Sequence, residues 1–289
     1  MADELVFRFT DQEWHLGRTA LVMGILNVTP DSFSDAGCYF KQDDAVEKAL
    51  LMAEQGAHII DVGGESTRPG AVPVSAEEEV ERVVPVIRAV SSKISLPVSV
   101  DTSKAAVAEA AIEAGAQIIN DVSGLQRDLD IIGVLKRSHA GCILMHMRGT
   151  PRTMQQCTNY EDLLSDICTF FRNTMEAAEK NGISRDHFIL DPGIGFAKTA
   201  EQNLELIAHL REFRKLNRPI LAGPSRKSFI GRLIPGSDSS SRVWGTAGAV
   251  ACCVFCGADI VRVHDVAEMQ QVVTVAAAIR QAAALDKTA

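Results

Sequence analysis

Short apolar runs alternate with longer amphipathic stretches along almost the whole chain. The stretches 43–57 and 104–116 carry apolar residues at the i, i+3, i+4 and i+7 spacing, and each reaches a glycine before the next run, so they predict helices. Ser75 and Glu78 have the spacing of a helix N-terminus and predict a third helix. The β-branched runs between such stretches predict eight strands, at 19–28, 58–64, 97–103, 117–124, 141–147, 187–196, 219–225 and 259–265.

This alternation predicts an α/β fold in which eight parallel strands close into a single (β/α)8 TIM barrel. Runs that are apolar throughout are typical of parallel strands covered by helices, and 289 residues are enough for one such domain. An open doubly wound sheet is the alternative, but no G-x-G-x-x-G motif follows the first run, which disfavours it. Residues 1–17 contain LVFRF and QEWH and predict a short β-hairpin ahead of the barrel domain at 18–289.

Composition narrows the function classes. A formal net charge of −8 disfavours binding to nucleic acid or to an anionic membrane surface, since both need a basic face. No apolar run approaches the roughly 20 residues that span a bilayer, and the acidic N-terminus lacks the basic region of a signal peptide. We therefore expect a cytoplasmic location. Cys253 and Cys256 form a CxxC in an apolar run without a nearby histidine, which favours buried thiols over a metal or redox site.

Each predicted strand carries polar side chains at or near its end. One such residue is usually a helix cap or part of a turn. In a (β/α)8 barrel, however, the C-terminal strand ends meet at one mouth, where active sites of this fold lie. Eight converging polar ends therefore predict a functional site. They are Asn27, Asp61, Asp101, Asn120, His146, Asp191, Ser225, and Arg262 with His264.

Two loops that combine glycine or proline with hydroxyl side chains follow the first two strands, at 27–37 and 63–71. Their glycines allow the backbone to approach a ligand and allow a loop to close. The second loop places Arg68 between Thr67 and Pro69. A guanidinium donates two parallel hydrogen bonds to phosphate or carboxylate, which indicates recognition of an anion.

The last two strands add further cations. GPSRKS after the seventh strand contributes Lys227 beside Ser225 and Ser228, and the eighth strand carries Arg262 and His264. These last two residues are two positions apart, so their side chains point the same way. We therefore expect a cationic anion site within an acidic protein.

The acids and amides at the strand ends suit a different part of a substrate. Asp101, Asn120 and Asp191, together with Lys227, offer the donors and acceptors that read the polar edge of a flat heterocycle. Leaving one buried polar group unpaired costs about 1–3 kcal/mol, so such a site discriminates by hydrogen-bond pattern. The residues alone predict a transfer reaction on a heterocycle that bears a diphosphate.

At these motifs the sequence resembles the dihydropteroate synthases of folate biosynthesis. STRPG at 66–70 together with SRKS at 225–228 is the specific part, because related pterin-binding methyltransferase barrels lack this pair. Ala105, Ala36 and Pro224 depart from the usual family pattern, but none of them removes a functional group. The similar segments cover nearly the whole chain, at 23–35, 59–71, 99–104, 119–124, 144–151, 190–196, 225–228 and 262–266.

The resemblance implies a reaction and the residues that perform it. (7,8-Dihydropterin-6-yl)methyl diphosphate would condense with p-aminobenzoate and release pyrophosphate, with Mg2+ as cofactor. The implied pterin contacts are Asp101, Asn120, Asp191 and Lys227, and the implied diphosphate contacts are Asn27, Thr67, Arg68, Arg262 and His264, with Mg2+ on Asn27. The implied p-aminobenzoate contacts are Phe33, Thr67, Arg68, Pro69, Phe196, Lys227 and Ser228.

The resemblance also implies a mechanism and an assembly. An aryl amine is a poor nucleophile, so the rate must come from departure of the leaving group, with Asp101 stabilising the cationic pterin methylene. Lys227 and Arg68 complete the implied catalytic set, and no covalent nucleophile is needed. The family further implies a homodimer that forms through the outer helices.

Two alternatives remain at this stage. A pterin-dependent methyltransferase would bind methyltetrahydrofolate and need a corrinoid partner, but it would have little use for a phosphate site made of Arg68, Lys227, Arg262 and His264. A non-catalytic pterin-binding relative is expected to lose loop residues or the SRKS lysine, and this sequence keeps them.

Overall fold

The fold is an eight-stranded barrel preceded by a hairpin. The computed structural model of the chain describes residues 4–29, 38–68, 70–234 and 242–285. The hairpin strands are β1 (Leu5–Phe9) and β2 (Gln12–Leu16), which pair in antiparallel fashion. The barrel strands are β3 (Leu21–Asn27), β4 (Ile59–Gly63), β5 (Val98–Asp101), β6 (Ile118–Asp121), β7 (Gly141–Met145), β8 (Phe188–Asp191), β9 (Leu221–Ala222) and β10 (Ile260–Val263).

The barrel strands are all parallel and follow the order β8-β7-β6-β5-β4-β3-β10-β9. A parallel bridge between Leu190 of β8 and Ile220, the residue before β9, joins the two ends of this order. Every predicted apolar run contains one of these strands, so the prediction of a single (β/α)8 barrel with an N-terminal hairpin is confirmed.

The helices lie between the strands in sequence and cover the barrel from outside. Ser75 accepts a hydrogen bond from the Glu78 amide at 3.1 Å, which confirms the predicted helix start. The helices are α1 (Cys38–Glu54), α2 (Ala76–Ser91), α3 (Ala105–Glu113), α4 (Ile131–Ser138), α5 (Leu163–Lys180), α6 (Ala200–Ala208), α7 (Ser228–Leu233), α8 (Val243–Phe255) and α9 (Val266–Leu285).

The hairpin closes the N-terminal end of the barrel. Phe7 and Phe9 are fully buried, and they share an apolar cluster with residues near the starts of the barrel strands, such as Ile59 and Ile118. A side chain at Gly141 would lie 2.4 Å from the Phe7 ring, so the hairpin rests directly on the strand ends. The hairpin thus covers the N-terminal end of the barrel with apolar side chains.

The helices bear on two expectations from the sequence, one about the cysteines and one about membrane spans. Cys253 of α8 is buried and Cys256 is half-buried, in keeping with thiols that pack as small apolar groups. Across the ranges that the structure describes, no helix is long and apolar enough to cross a membrane.

Candidate active site

Four strand ends form one buried hydrogen-bonded cluster at the base of the mouth. Arg262 of β10 donates from Nε to Asp61 Oδ2 of β4 at 2.6 Å and from Nη2 to Asp101 Oδ2 of β5 at 2.5 Å. Asn120 of β6 donates from Nδ2 to the same Asp61 oxygen at 3.0 Å. We call Asp61, Asp101, Asn120 and Arg262 the floor network.

The floor network carries more negative than positive charge. Burial disfavours the charged guanidinium of Arg262, but attraction to Asp61 and Asp101 outweighs it and raises the pKa of Arg262 above its ordinary value. Burial raises the pKa of Asp101 to about 7, against the attraction of Arg262 and with the repulsion of Asp61. One oxygen of Asp61, Oδ1, is buried without a hydrogen-bond partner in the described part of the chain. The network is therefore suited to a ligand that brings hydrogen-bond donors or positive charge.

Asp191 and Lys227 form the neighbouring wall. Asp191 at the end of β8 is buried, accepts a hydrogen bond from the Gly193 amide at 2.8 Å, and has a pKa raised by burial. The Lys227 ammonium lies 3.9 Å from the centre of the Phe196 ring, a cation–π contact. Burial and the repulsion of Arg262 lower the pKa of Lys227 to about 8, although Asp191 and Asp101 oppose them.

Ser225 and His264 lie close together beside the eighth strand. The Ser225 Oγ is 2.9 Å from His264 Nδ1 and accepts the His264 amide at 3.2 Å. Both contacts are satisfied if the hydroxyl donates to Nδ1, which leaves the proton on Nε2, and no hydrogen bond joins Nε2 to the described residues. Burial, reinforced by Arg226 and Arg262, lowers the pKa of His264 to about 3. His264 is thus uncharged at neutral pH, and the expected positive charge comes from Arg262 and Lys227.

Asn27 and Asp101 lie on either side of Gly63 in the sheet. A side chain on Gly63 would lie 3.5 Å from Asp101 Cβ and 3.9 Å from Asn27 Oδ1. In the sheet Gly63 pairs with Asn27 on one side and with Asp101 on the other, which places the two side chains at the same level of the mouth. Asn27 offers a hard oxygen, the donor type that Mg2+ prefers, and no cluster of three acidic, His or Cys side chains in the described ranges could hold a metal alone. A Mg2+ ion that takes most of its oxygens from phosphate and water fits this arrangement.

The loop after β4 forms the rim. Thr67 and Asp101 line the same cleft, of about 310 Å3, which also borders the loops after β5, β6 and β7. Arg68 is exposed, and Ser228 is exposed at the start of α7. Phe33 and Pro69 lie outside the described residues. The structure thus brings Asn27, Asp101, Asn120, Asp191, Phe196, Lys227, Arg262 and His264 to one mouth, and it leaves Arg68 and Ser228 at its edge.

Some residues near the site had no role in the sequence analysis. Asp61 was noted only as a strand end, yet it bonds both Arg262 and Asn120. Lys104 bonds Glu65 and Glu79, each at 2.5 Å, and so ties the loop after β4 to α2. An acid on the apolar face of a helix was the available signal for Glu79, since it lies four residues before the buried Val83.

The comparisons with known proteins agree with this geometry. A family model described as pterin binding enzyme matches residues 23–264. The dihydropteroate synthase of Synechocystis sp. is 49% identical over 263 residues, which are 91% of each chain. A Yersinia pestis dihydropteroate synthase solved with a sulfonamide drug complex superposes with a TM-score of 0.89 at 41% identity, over 96% of this chain and 100% of that one.

A Xanthomonas albilineans dihydropteroate synthase solved with 4-aminobenzoic acid gives a TM-score of 0.87 at 40% identity, over 94% of this chain and 98% of that one. The matched family model covers most of the chain, so this (β/α)8 barrel belongs to the class of pterin-binding enzymes. Within that class, the chain belongs to the dihydropteroate synthase family.

Proposed function

We propose that the mouth of this barrel joins (7,8-dihydropterin-6-yl)methyl diphosphate to p-aminobenzoate, with release of pyrophosphate. The floor network is the observation that carries this proposal. It places a buried carboxylate, Asp101, in bonding contact with Arg262, so one cluster offers a negative group for a cation and a positive group for a leaving phosphate.

The pterin ring lies against the floor and the wall beside it. Asp101, Asn120 and Asp191 are buried and belong to three different strands, so their side chains approach one ligand from several directions. A pterin edge presents ring nitrogens, an amino group and a carbonyl, which need both acceptors and donors. Lys227 adds a donor above the Phe196 ring.

The diphosphate lies toward Asn27, Thr67, Arg68, Arg262 and His264. Arg262 uses Nε and Nη2 within the floor network, while no hydrogen bond joins its Nη1 to the described part of the chain. This donor and the Nε2–H of His264 are directed by groups that are already bonded, so they need no rearrangement to meet an anion. Mg2+ held at Asn27 would neutralise part of the charge on the diphosphate.

The reaction begins when the bond between the pterin methylene carbon and the diphosphate oxygen breaks, with both electrons leaving on pyrophosphate. Arg262 and Lys227 stabilise the charge that develops on the leaving group, and the Asp101 carboxylate stabilises the cationic methylene. The p-aminobenzoate nitrogen then forms the new carbon–nitrogen bond, and its proton passes to solvent water. No serine or cysteine attacks the substrate in this scheme.

The p-aminobenzoate binds on the outer side of the pterin, near the rim. Phe196 and Lys227 provide a half-enclosed wall, while Thr67, Arg68 and Ser228 border the opening. Phe33 and Pro69 complete the proposed contacts from outside the described residues. The 4-aminobenzoic acid held by the Xanthomonas relative supports this choice of second substrate.

Pyrophosphate release tests the proposal directly. The purified chain, given both substrates and Mg2+, should release pyrophosphate and form 7,8-dihydropteroate in equal amounts. Omission of p-aminobenzoate should stop product formation, and the matched variant Asp101→Asn should slow it. Demethylation of methyltetrahydrofolate in the presence of a corrinoid acceptor, without pyrophosphate release, would instead support the methyltransferase alternative.

We further propose that the chain forms a homodimer and acts in the cytoplasm. Helices α8 and α9 pack against each other and expose Trp244, Phe255, Val275 and Ile279, an apolar surface that supports self-association. Free thiols among the described cysteines support a reducing compartment. Light scattering of the purified protein would report the oligomeric state.

A further inference from the structure

The loop that follows β8 is folded tightly against the end of β7. Gly193, Gly195 and Ala197 all have positive φ angles, of 75°, 87° and 51°. A side chain on Gly193 would lie 2.0 Å from the His146 carbonyl oxygen, so the loop backbone rests directly on the residue after β7. This loop carries Phe196, whose ring faces the Lys227 ammonium.

Lys198 lies beneath this loop. Its side chain is 3% exposed, and its Nζ is 2.9 Å from the Phe196 carbonyl oxygen and 3.2 Å from His146 Nδ1. No carboxylate oxygen of the described residues comes within ion-pair distance of this ammonium. Burying an ammonium without a carboxylate partner costs free energy. The two hydrogen bonds, to Phe196 and to His146, are the interactions that compensate for this cost.

His146 is built to accept the hydrogen bond from Lys198. Burial, together with the positive charges of Lys198 and Arg148, lowers the pKa of His146 to about 2, so the ring is neutral and its Nδ1 can accept. The ring packs edge-on against Phe170, with centroids 5.0 Å apart. Tyr160 provides a second hold on the loop, because its hydroxyl donates to the Ala197 carbonyl at 3.0 Å.

Phe196 is thereby held at two points. Lys198 binds its backbone carbonyl from below, and Lys227 contacts its ring from the mouth. The Lys227 chain also packs over Gly195, where an added Cβ would lie 2.8 Å from Lys227 Cδ. A shift of the Phe196 carbonyl would therefore move both the ring and the lysine that faces the substrates.

We propose that Lys198 is a positioning residue for the second substrate: it ties the end of β7 to the loop after β8 and so fixes Phe196 against Lys227. This inference rests on the proposed function, because Phe196 and Lys227 form the wall of the p-aminobenzoate pocket. Lys198 acts through Phe196 and makes no contact with the reacting atoms itself.

The surroundings of Lys198 fit a hydrogen-bonding role. Burial lowers the pKa of Lys198 to about 7; Asp191 opposes this shift, and Arg148 and Lys227 add to it. Both the ammonium and the neutral amine carry enough N–H groups to donate to the Phe196 carbonyl and the His146 nitrogen. The tie does not depend on which form is present.

Lys198→Met is the test variant, because it keeps the length of the side chain and removes its donors. The Michaelis constant for p-aminobenzoate should rise about tenfold, the typical effect of losing one buried hydrogen bond, while that for the pterin diphosphate stays within about threefold. Lys136→Met, on the exposed face of α4, is the matched control and should leave both constants unchanged. Lys198→Gln retains a donor and should recover part of the loss.

Hydrogen exchange provides a readout that needs no substrate. Backbone amides of 193–198 should exchange faster in Lys198→Met than in the wild type, whereas those of β8 should not change. If the wild type releases no pyrophosphate, the proposed function fails, and exchange alone then decides the role of Lys198. Unchanged exchange in 193–198, or an equal rise in both Michaelis constants, would overturn the inference.

Discussion

The floor network and the rim of the barrel mouth are held in place by different means. Every member of the floor network is hydrogen bonded to another member, and Asp61 at its centre is fully buried. At the rim, Arg68 is exposed; its backbone amide donates to the Ser66 hydroxyl at 3.4 Å, and its carbonyl accepts from the Ala71 amide at 3.1 Å. Thr67 beside it is half-buried in the cleft.

This difference assigns different tasks to the two regions. Groups that are fixed before the substrate arrives stabilise developing charge without reorganising, so the floor suits the bond-breaking step. Exposed groups on a loop adapt to a ligand more readily than buried groups on strands, so the rim suits recognition of the second substrate. Changes at the floor should therefore affect turnover and folding, and changes at the rim should mainly affect affinity.

The largest effect is expected at Asp101. Asp101→Asn preserves shape but removes the charge that the proposed mechanism places beside the cationic methylene, and loss of one such group typically lowers turnover about 100- to 1,000-fold. Thr67→Val at the rim should lower turnover about tenfold or less, because it removes only one neutral hydrogen bond to the substrate. Single-turnover rates of both variants would check this; similar rates for the two would remove the distinction between floor and rim.

The free energy of unfolding should fall much more when Arg262 is replaced than when Arg68 is replaced. Arg262→Ala leaves Asp61 and Asp101 buried without their cation, a change that typically destabilises a protein by about 3–5 kcal/mol. Arg68→Ala removes an exposed side chain and should change the free energy of unfolding by less than about 0.5 kcal/mol. Denaturant unfolding of both variants measures the difference. A loss of diphosphate affinity in Arg262→Ala at wild-type stability would mean that the guanidinium serves the substrate alone.

The pH dependence of kcat/KM, which reports groups of the free enzyme, should reflect the floor and its neighbouring wall. The pKa of Asp101 is raised to about 7, so kcat/KM should fall below that pH as the carboxylate is neutralised. The pKa of Lys227 is lowered to about 8, so kcat/KM should fall above that pH as the ammonium loses its proton. Values measured from pH 5 to pH 10 should fall about tenfold per unit on each side. Asp101→Asn should keep only the alkaline fall; an acid fall that persists in this variant would assign it to another group.

The barrel and most of the floor follow from local patterns in the sequence. The period of the apolar residues predicts strands and helices, and the parallel topology then carries the polar strand ends to one mouth. The sequence alone was enough to predict four of the site residues: Asp101, Asn120, Asp191 and Arg262. Their meeting is a consequence of the fold.

Partners and charge states could not be predicted in the same way. Asp61 and Arg262 are separated by 201 positions in the sequence, so their bond is visible only after the barrel has closed. The neutral state of His264 depends on burial and on the cations around it, which the spacing of residues does not contain. The burial of Lys198 could not be predicted either, because a lone lysine before a helix normally faces solvent.

The most direct test of the division between floor and rim is the order of binding. Fixing a backbone residue of the rim loop costs roughly 1–2 kcal/mol, more than a small benzoate can offset alone. In the proposed site, pyrophosphate with Mg2+ would contact Asn27 and Arg68, and it should thereby complete the second pocket. Equilibrium binding of labelled p-aminobenzoate should therefore strengthen on the order of tenfold or more when pyrophosphate and Mg2+ are present, compared with sodium chloride at equal ionic strength. Equal affinity in the two conditions would show that the rim is already formed and would contradict this account.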